Sequence, residues 1–252
     1  MKMAYNIDMP NKELMTINRA AQILGFSKDT LRRWDKNGKL PAIRPKNSGY
    51  RYYDSNLLAE LMPGLNIYKL ILKWANGKTA NEPLPDFYCP NSSVFHARLI
   101  KLEADLAQSQ GLKDKFSLIT AIAGEIGNNA YDHNLGNWPD VPGVFFIYSL
   151  TKKIIAIADR GQGVLTTLKK VRPDLKNDQA ALKTAFTEII SGRAPESRGN
   201  GLKFVRKIIT ENNFKLLFIS GPAELKIKPN SGNLNIGPTK KPIQGCLALI
   251  KF

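Results

Sequence analysis

The stretch "FSLITAIAGEIGNNAYDH", residues 116–133, sets a row of polar side chains beside an apolar helix face. At about 100° per residue, its large apolar residues fall on one side of a single helix. Glu125, Asn129 and His133 follow each other at intervals of four residues and line the border of that face. Neither a core nor a solvated face requires a polar row at its edge, so we expect this border to form the wall of a cleft.

Two side chains in this row have the chemistry of a magnesium site. The amide oxygen of Asn129 is a suitable ligand for Mg²⁺, which prefers oxygen donors and keeps several waters. Glu125, one helical turn earlier, can orient or deprotonate a water molecule. The helix border therefore predicts a metal site with a candidate general base.

A second motif, "DRGQG" at residues 159–163, ends the strand-like run "KIIAIA". Asp159 can accept a hydrogen bond from an exocyclic amine, and Gly161 and Gly163 allow the backbone to approach a flat base. By itself this motif is more often a turn than a binding site.

A third motif, "RGNGL" at residues 198–202, starts the amphipathic helix "GLKFVRKIITEN". Gly199 and Gly201 at a helix N-terminus can offer free backbone N–H groups and a positive dipole end to phosphates. By itself it is more often an ordinary helix cap than a phosphate site.

Together and in this order, the three motifs resemble the N, G1 and G2 boxes of the GHKL ATP-binding fold, shared by histidine kinases, DNA gyrase and anti-sigma kinases. The resemblance implies that Asn129 coordinates Mg²⁺, that Asp159 holds the adenine amine, and that the G2 loop wraps the phosphates. The matching residues are Glu125, Asn129, Ala130 and His133 in the first box, Asp159, Gly161 and Gly163 in the second, and Gly199, Gly201 and Leu202 in the third.

In that fold, residues 164–198 correspond to the lid over the ATP site. Arg193 and Arg198, nearest to the third motif, are then candidates for phosphate contact. His133 is either close to the phosphates or a satisfied polar residue at the end of its helix, and both interpretations stay open.

The N-terminal part has a different pattern, two short helices followed by a hairpin. Thr16 and Ser27 are at the helix starts, and a glycine separates the helices, as in a helix-turn-helix. The following segment has strand-like residues on both sides of a turn at residues 47–49, which predicts a hairpin wing. Asp54 then predicts the cap of a further helix.

The runs "TLRRW" at residues 30–34 and "GYRYY" at residues 49–53 resemble the MerR family of bacterial transcription regulators. The resemblance implies that the second helix enters the major groove of DNA and that the wing touches the backbone. The family's long dimerising helix is replaced by the short run "GLNIYKLILKWANG", which leaves a homodimer open. The expected DNA-contacting residues are Lys28, Thr30, Arg32, Arg33, Arg44, Lys46, Tyr50, Arg51 and Tyr53.

The net charge of +16 points to an anionic partner, and it is about twice as dense before residue 76 as after it. Cys89 and Cys246 are far apart with no CxxC spacing, which predicts no disulfide, no zinc site and a cytoplasmic protein. We identified no signal peptide and no membrane span.

The sequence therefore predicts an α+β protein with a MerR-like winged helix-turn-helix over residues 1–75 and a linker over 76–94. Residues 95–252 are expected to form a GHKL α/β sandwich with a mixed, mostly antiparallel sheet. The function expected is a DNA-binding transcription regulator whose ATP·Mg²⁺ site controls DNA binding or assembly. A serine/threonine kinase of the anti-sigma type and an ATP-dependent dimerising clamp stay open as alternatives.

The cofactors expected are ATP and Mg²⁺, and the partner expected is double-stranded DNA, with no membrane. A protein partner, STAS-like or another regulator, stays open. The sequence also leaves open whether ATP is hydrolysed, transferred or only sensed.

Overall fold

The chain forms two compact units, Met1–Asn66 and Ile67–Phe252. We predicted the first domain to end at residue 75; the helix before that point packs instead on the sheet of the second unit, so the division falls earlier. The computed structural model describes residues 14–24, 28–38, 40–45, 49–54, 67–77, 82–83, 87–189, 200–231 and 233–252.

The first unit contains two short strands and two helices among its described residues: β1 Leu14–Thr16, α1 Ile17–Leu24, α2 Lys28–Lys36 and β2 Tyr52–Asp54. The predicted cap of α1 is confirmed, since the Arg19 N–H donates to the Thr16 hydroxyl at 3.4 Å. Strand β1 was not predicted and pairs antiparallel with β2.

The base of the wing is a pair of backbone hydrogen bonds between Ile43 and Tyr52, at 2.7 and 2.9 Å. These two bonds form an antiparallel bridge, as a hairpin requires. Residues 46–48 of the wing turn, the Ser27 cap and the helix predicted after Asp54 lie outside the described residues.

The described part of the second unit contains a seven-stranded sheet in the order β3-β4-β5-β9-β6-β7-β8. Its strands are β3 Tyr88–Cys89, β4 Val144–Ser149, β5 Ile154–Asp159, β6 Lys215–Ser220, β7 Ala223–Ile227, β8 Asn235–Pro238 and β9 Cys246–Lys251.

Every pairing between these strands is antiparallel, whereas we predicted a mixed sheet. The reason is the place of the last strand. Strands β5 and β6 run in the same direction, but β9 lies between them and is antiparallel to both.

The helices of this unit are α3 Ile67–Ala75, α4 Ser92–Gln108, α5 Phe116–Asn134, α6 Gly163–Lys169, α7 Asp178–Thr187 and α8 Gly201–Glu211. Helices α4, α5 and α8 share one hydrophobic core with the sheet. Helix α5 is the predicted single helix, and its Gly127 lets α4 approach closely, because a Cβ there would lie 2.0 Å from the Phe95 ring.

The opposite face of the sheet is also buried. Phe145, Ala156 and Leu249 point away from the core under α5, because neighbouring side chains alternate across a strand. Helix α3 packs on this face, with the rings of Trp74 and Phe145 5.7 Å apart. Strands covered on both faces explain the nearly continuous apolar runs of β4 and β5.

Strand β3 lies within the segment that we predicted to be a linker, and it pairs with the start of β4. Asn91 then caps α4, accepting the Val94 N–H at 3.0 Å. Cys89 and Cys246 are both free thiols. Among the residues that the structure describes, no helix has the length and apolar character needed to cross a membrane.

Candidate functional site

The polar border of α5 is present as the spacing predicts. Ile126 and Ala130 are buried in the core, whereas Glu125 and Asn129 are half-exposed at the edge of the same helix. The helix is therefore apolar toward the sheet and carries a carboxylate and an amide one turn apart along its rim.

The start of α8 lies directly against this rim. A Cβ built on Gly201 would lie 2.4 Å from Oε2 of Glu125 and 3.7 Å from Nδ2 of Asn129. No hydrogen bond from the Asn200 side chain caps α8. The structure thus brings a carboxylate, an amide and a helix N-terminus that Asn200 does not cap within a few ångströms of each other.

Asp159 ends β5 and is 5% exposed. Its carboxylate is held by backbone donors: the Gly161 N–H donates to Oδ1 at 2.8 Å, and the Cys246 N–H also donates. Burial raises the pKa of Asp159 to about 7, and the two N–H groups only partly offset this. A buried carboxyl group perturbed in this way is typical of functional sites.

Gly245 completes the surroundings of Asp159 and was not identified from the sequence. It adopts a φ of +74°, and a Cβ there would lie 2.5 Å from Oδ1 of Asp159. The position therefore requires glycine both for its backbone and for the space next to the carboxylate. A lone glycine before a C-terminal strand gives no signal of this contact.

The loop after Asp159 is anchored to the end of α5 by Asn134, another residue that the sequence did not single out. Its Oδ1 accepts the Gln162 N–H at 2.8 Å, and its Nδ2 donates to the Ala130 carbonyl at 2.7 Å. A Cβ on Gly161 would lie 2.1 Å from the Asn134 amide. The close packing of Asn134 therefore requires glycine at position 161. From the sequence, we had interpreted this glycine as allowing the backbone to approach a nucleotide base.

Gly163 has a comparable structural reason. Its φ is +76°, which favours glycine, and the following Val164 N–H donates to the Ser220 hydroxyl at 2.9 Å. Both glycines of this motif shape the loop that begins at Asp159.

The remaining predicted nucleotide residues fall into three groups. His133 is half-buried, and its carbonyl accepts from the Gln162 side chain at 3.2 Å. Leu202 packs against the hydrophobic core. Arg193, Arg198 and Gly199 lie outside the described residues.

The first part of the predicted lid is folded into α6 and α7, which share a small apolar cluster of Leu168, Leu175 and Ala181. In the described ranges, no group of three His, Cys, Asp or Glu side chains could hold a metal ion. Mg²⁺ is commonly held by one or two protein groups together with substrate phosphates, so the role predicted for Asn129 does not require such a group.

On the first unit, α2 presents the predicted cations to solvent. Lys28, Arg32 and Arg33 are exposed, and Arg32 forms an ion pair with Asp29 at 2.6 Å. In the wing, Tyr50 is 77% exposed. Exposed cations on one short helix are suited to contact DNA phosphates and base edges.

The two wing arginines are organised by Asp35 of α2. Arg51 donates from Nε to Oδ2 of Asp35 at 2.8 Å, and Arg44 forms an ion pair with the same carboxylate. The Ala42 N–H donates to Oδ1 at 2.9 Å. Burial raises the pKa of Asp35, but the Ala42, Arg51 and Arg44 hydrogen bonds outweigh it, so the net pKa lies below the ordinary 3.8.

Tyr53 corrects one expectation. We predicted a DNA contact, but its ring is fully buried and its hydroxyl donates to the Leu31 carbonyl at 3.5 Å. It is a core residue of the first unit because β2 turns this side chain toward α2. Lys46 and the side chain of Thr30 lie outside the described residues.

Two comparisons with known proteins give a match, and the first of them falls on the first unit. Residues 16–53 match the family model described as MerR family regulatory protein. A protein from Escherichia coli, the type II methyltransferase M.Eco47II, is 40% identical over 58 residues, which are 23% of this chain and 14% of that protein. The chain thus spans a small part of the length of this curated relative. The family match supports a helix-turn-helix DNA-binding role for the N-terminal part.

Proposed function

We propose that this protein is a DNA-binding transcription regulator whose second unit binds ATP with Mg²⁺, and that the bound nucleotide sets its affinity for DNA or its assembly. The observation that carries the proposal is the approach of Gly201 to Glu125 and Asn129. Two motifs that are far apart in the chain meet there, as a nucleotide site of the GHKL type requires.

The chemistry of these residues suits the three parts of a nucleotide. The buried Asp159 retains acceptor capacity beyond its two backbone bonds and suits an exocyclic amine. The N-terminus of α8 suits phosphate oxygens. Asn129 suits Mg²⁺, which would neutralise phosphate charge at this edge.

ATP binding is tested with a matched pair of amide variants. We expect Asn129→Ala to lose Mg²⁺-dependent ATP binding in isothermal titration calorimetry, because it removes the metal ligand. Asn128→Ala, which removes the neighbouring amide with no predicted role, is expected to bind as the natural protein does. Equal binding by both variants would remove Asn129 from the site.

The link to DNA is tested by mapping the genomic DNA bound by the intact protein and by Asn129→Ala. A target duplex from this map then allows ATP affinity to be measured with and without DNA. If ATP changes DNA affinity, DNA must change ATP affinity by the same factor. Identical ATP affinities in the two conditions would contradict nucleotide control of DNA binding.

Hydrolysis is a separate property, favoured by the position of Glu125 beside the start of α8. If Glu125 is the general base, Glu125→Gln should lower turnover by about 100-fold or more while ATP binding is kept. Glu211→Gln, at the far end of α8, is the control. Unchanged turnover in Glu125→Gln would contradict its role as a base, and transfer of labelled phosphate to a protein would favour the kinase alternative.

A further inference from the structure

Arg160 follows Asp159 in the chain, and the two side chains leave the end of β5 on opposite faces of the sheet. Asp159 continues the face of Ile155 and Ile157, which belong to the core under α5. Neighbouring side chains alternate across a strand, so Arg160 points to the face covered by α3. Asp159, which is predicted to bind the adenine amine, and Arg160 are thus adjacent in the chain, but their side chains lie on opposite sides of the sheet.

The guanidinium of Arg160 is buried, with its side chain 3% exposed, and is paired with Asp140. Nε donates to both carboxylate oxygens, at 3.1 and 2.9 Å, and a terminal nitrogen donates to Oδ2 at 2.8 Å. A forked, charge-assisted contact of this kind fixes the guanidinium in one orientation.

The other terminal nitrogen of Arg160 caps the end of α3. It donates to the carbonyls of Trp74 and Ala75 at 2.8 and 3.3 Å, and the guanidinium carbon lies 6.0 Å from the Trp74 ring centre. Carbonyls at a helix C-terminus lack intrahelical partners, and a cation there also suits the helix dipole.

The loop before β9 also contacts Arg160 and the end of α3. The Gln244 N–H donates to the Ala75 carbonyl at 3.3 Å, and its side-chain amide donates to the Arg160 carbonyl at 3.2 Å. The next residue, Gly245, is the one packed against the Asp159 carboxylate. Two loops that surround Asp159 therefore also hold the end of α3.

We propose that Arg160 is a positioning residue that carries the nucleotide state of the Asp159 loop to α3, whose first residue follows the DNA-binding unit directly in the chain. The inference rests on the proposed function, since it assigns a regulatory route to the same site. A ligand amine that engages Asp159 orders its loop, and the Arg160 guanidinium transfers that ordering to the last turn of α3.

The test is hydrogen exchange of residues 67–77 in the full chain, with and without saturating Mg²⁺·ATP. We expect ATP to slow exchange there by about 5-fold or more in the natural protein, the lower end of typical coupling between sites. Arg160→Lys, which loses the forked contact, should reduce this change to below about 2-fold. Arg98→Lys, which alters a half-buried arginine of α4 outside the predicted nucleotide motifs and lid, should keep it.

Calorimetry on the same samples separates the possible outcomes. ATP binding without any change in residues 67–77, or a change of equal size in Arg160→Lys, overturns the inference and leaves the proposed function standing. Failure of the natural protein to bind ATP overturns both. If Arg160→Lys does not fold or bind, Asp140→Asn decides, because it removes the partner charge and keeps the arginine.

Discussion

The pKa values of two carboxylates, one in each unit, are shifted in opposite directions. In the first unit, Asp35 gathers the arginines of the wing, and its pKa falls below the ordinary value. In the second unit, burial raises the pKa of Asp159 to about 7, although Arg160 is its neighbour in the chain. That arginine directs its charge to Asp140 and to the end of α3.

The difference indicates what each site is arranged to meet. At Asp35 the cations are the protein's own Arg44 and Arg51, and their ion pairs fix the base of the wing. The proposed contacts with DNA are then left to other, exposed cations. At Asp159, the donors among the described residues are two backbone N–H groups, so the carboxylate keeps acceptor capacity that the proposed nucleotide would use. Three substitutions and one pH profile test this contrast, and the substitutions come in order of decreasing expected effect.

The largest effect is expected from Arg160→Met. Removing Arg160 leaves the Asp140 carboxylate with the Val141 N–H but without its ion-pair partner. Breaking a buried pair costs about 3–5 kcal/mol of unfolding free energy, and we expect the lower end of this range because Asp140 is 20% exposed. Urea unfolding of the natural protein and the variant measures this cost. Arg172→Met removes an exposed arginine with two acidic partners and should change unfolding far less. A similar small change in both variants would show that burial of the Arg160 pair is not what holds α3.

A smaller effect is expected from Asp159→Asn on ATP affinity. Its amide oxygen can accept the N–H groups of Gly161 and Cys246, which turns the amide nitrogen, a donor, toward the amine of adenine. Losing a hydrogen bond to a charged acceptor costs roughly 1.5–3 kcal/mol, which is about a 10- to 150-fold loss of affinity. Calorimetry measures it, with Asp114→Asn, an exposed carboxylate before α5, as the control expected to bind normally.

Because the pKa of Asp159 is raised, we also expect ATP affinity and protein stability to depend on pH near neutrality. If the proposed ATP site uses the charged carboxylate of Asp159, ATP affinity should rise by about tenfold per pH unit as pH approaches 7 from below, and then level off. Without ligand, the free energy of unfolding should change with pH in the opposite direction. A raised pKa stabilises the protonated native state, and this contribution to stability is lost as pH rises through about 7. A flat binding profile from pH 5.5 to 8 would contradict a buried, titrating Asp159.

The smallest effect is expected from Asp35→Asn. Arg44 and Arg51 are partly exposed, so the cost should be about 1 kcal/mol or less. Hydrogen exchange of residues 28–38 measures it locally. A lowered pKa contributes stability above the unfolded value of 3.8, and that contribution is lost as pH falls through the lower folded value. The difference from the natural protein should therefore vanish at strongly acid pH, and its persistence there would contradict the role of the carboxylate charge.

Local pattern predicted much of this molecule. The periodicity of residues 116–133 predicts α5, and the strand-like run before Asp159 predicts β5, because these elements follow from residue spacing alone. Thr16 as a cap and the helix-turn-helix order could also be predicted. The Arg19–Thr16 hydrogen bond confirms the cap, and the family match supports the helix-turn-helix. The two-residue strand β3 was not readable, because it lies in a proline-rich stretch and exists only through its pairing with β4.

The sequence by itself determined which residues could form a nucleotide site and a DNA-reading helix, because a motif records chemistry and spacing along the chain. The tertiary structure alone decided which residues meet. The insertion of β9 between β5 and β6 sets Gly245 against Asp159, and the packing of α3 on the second face gives Arg160 its partners. Those contacts join residues that are far apart in the chain, and no local periodicity encodes them.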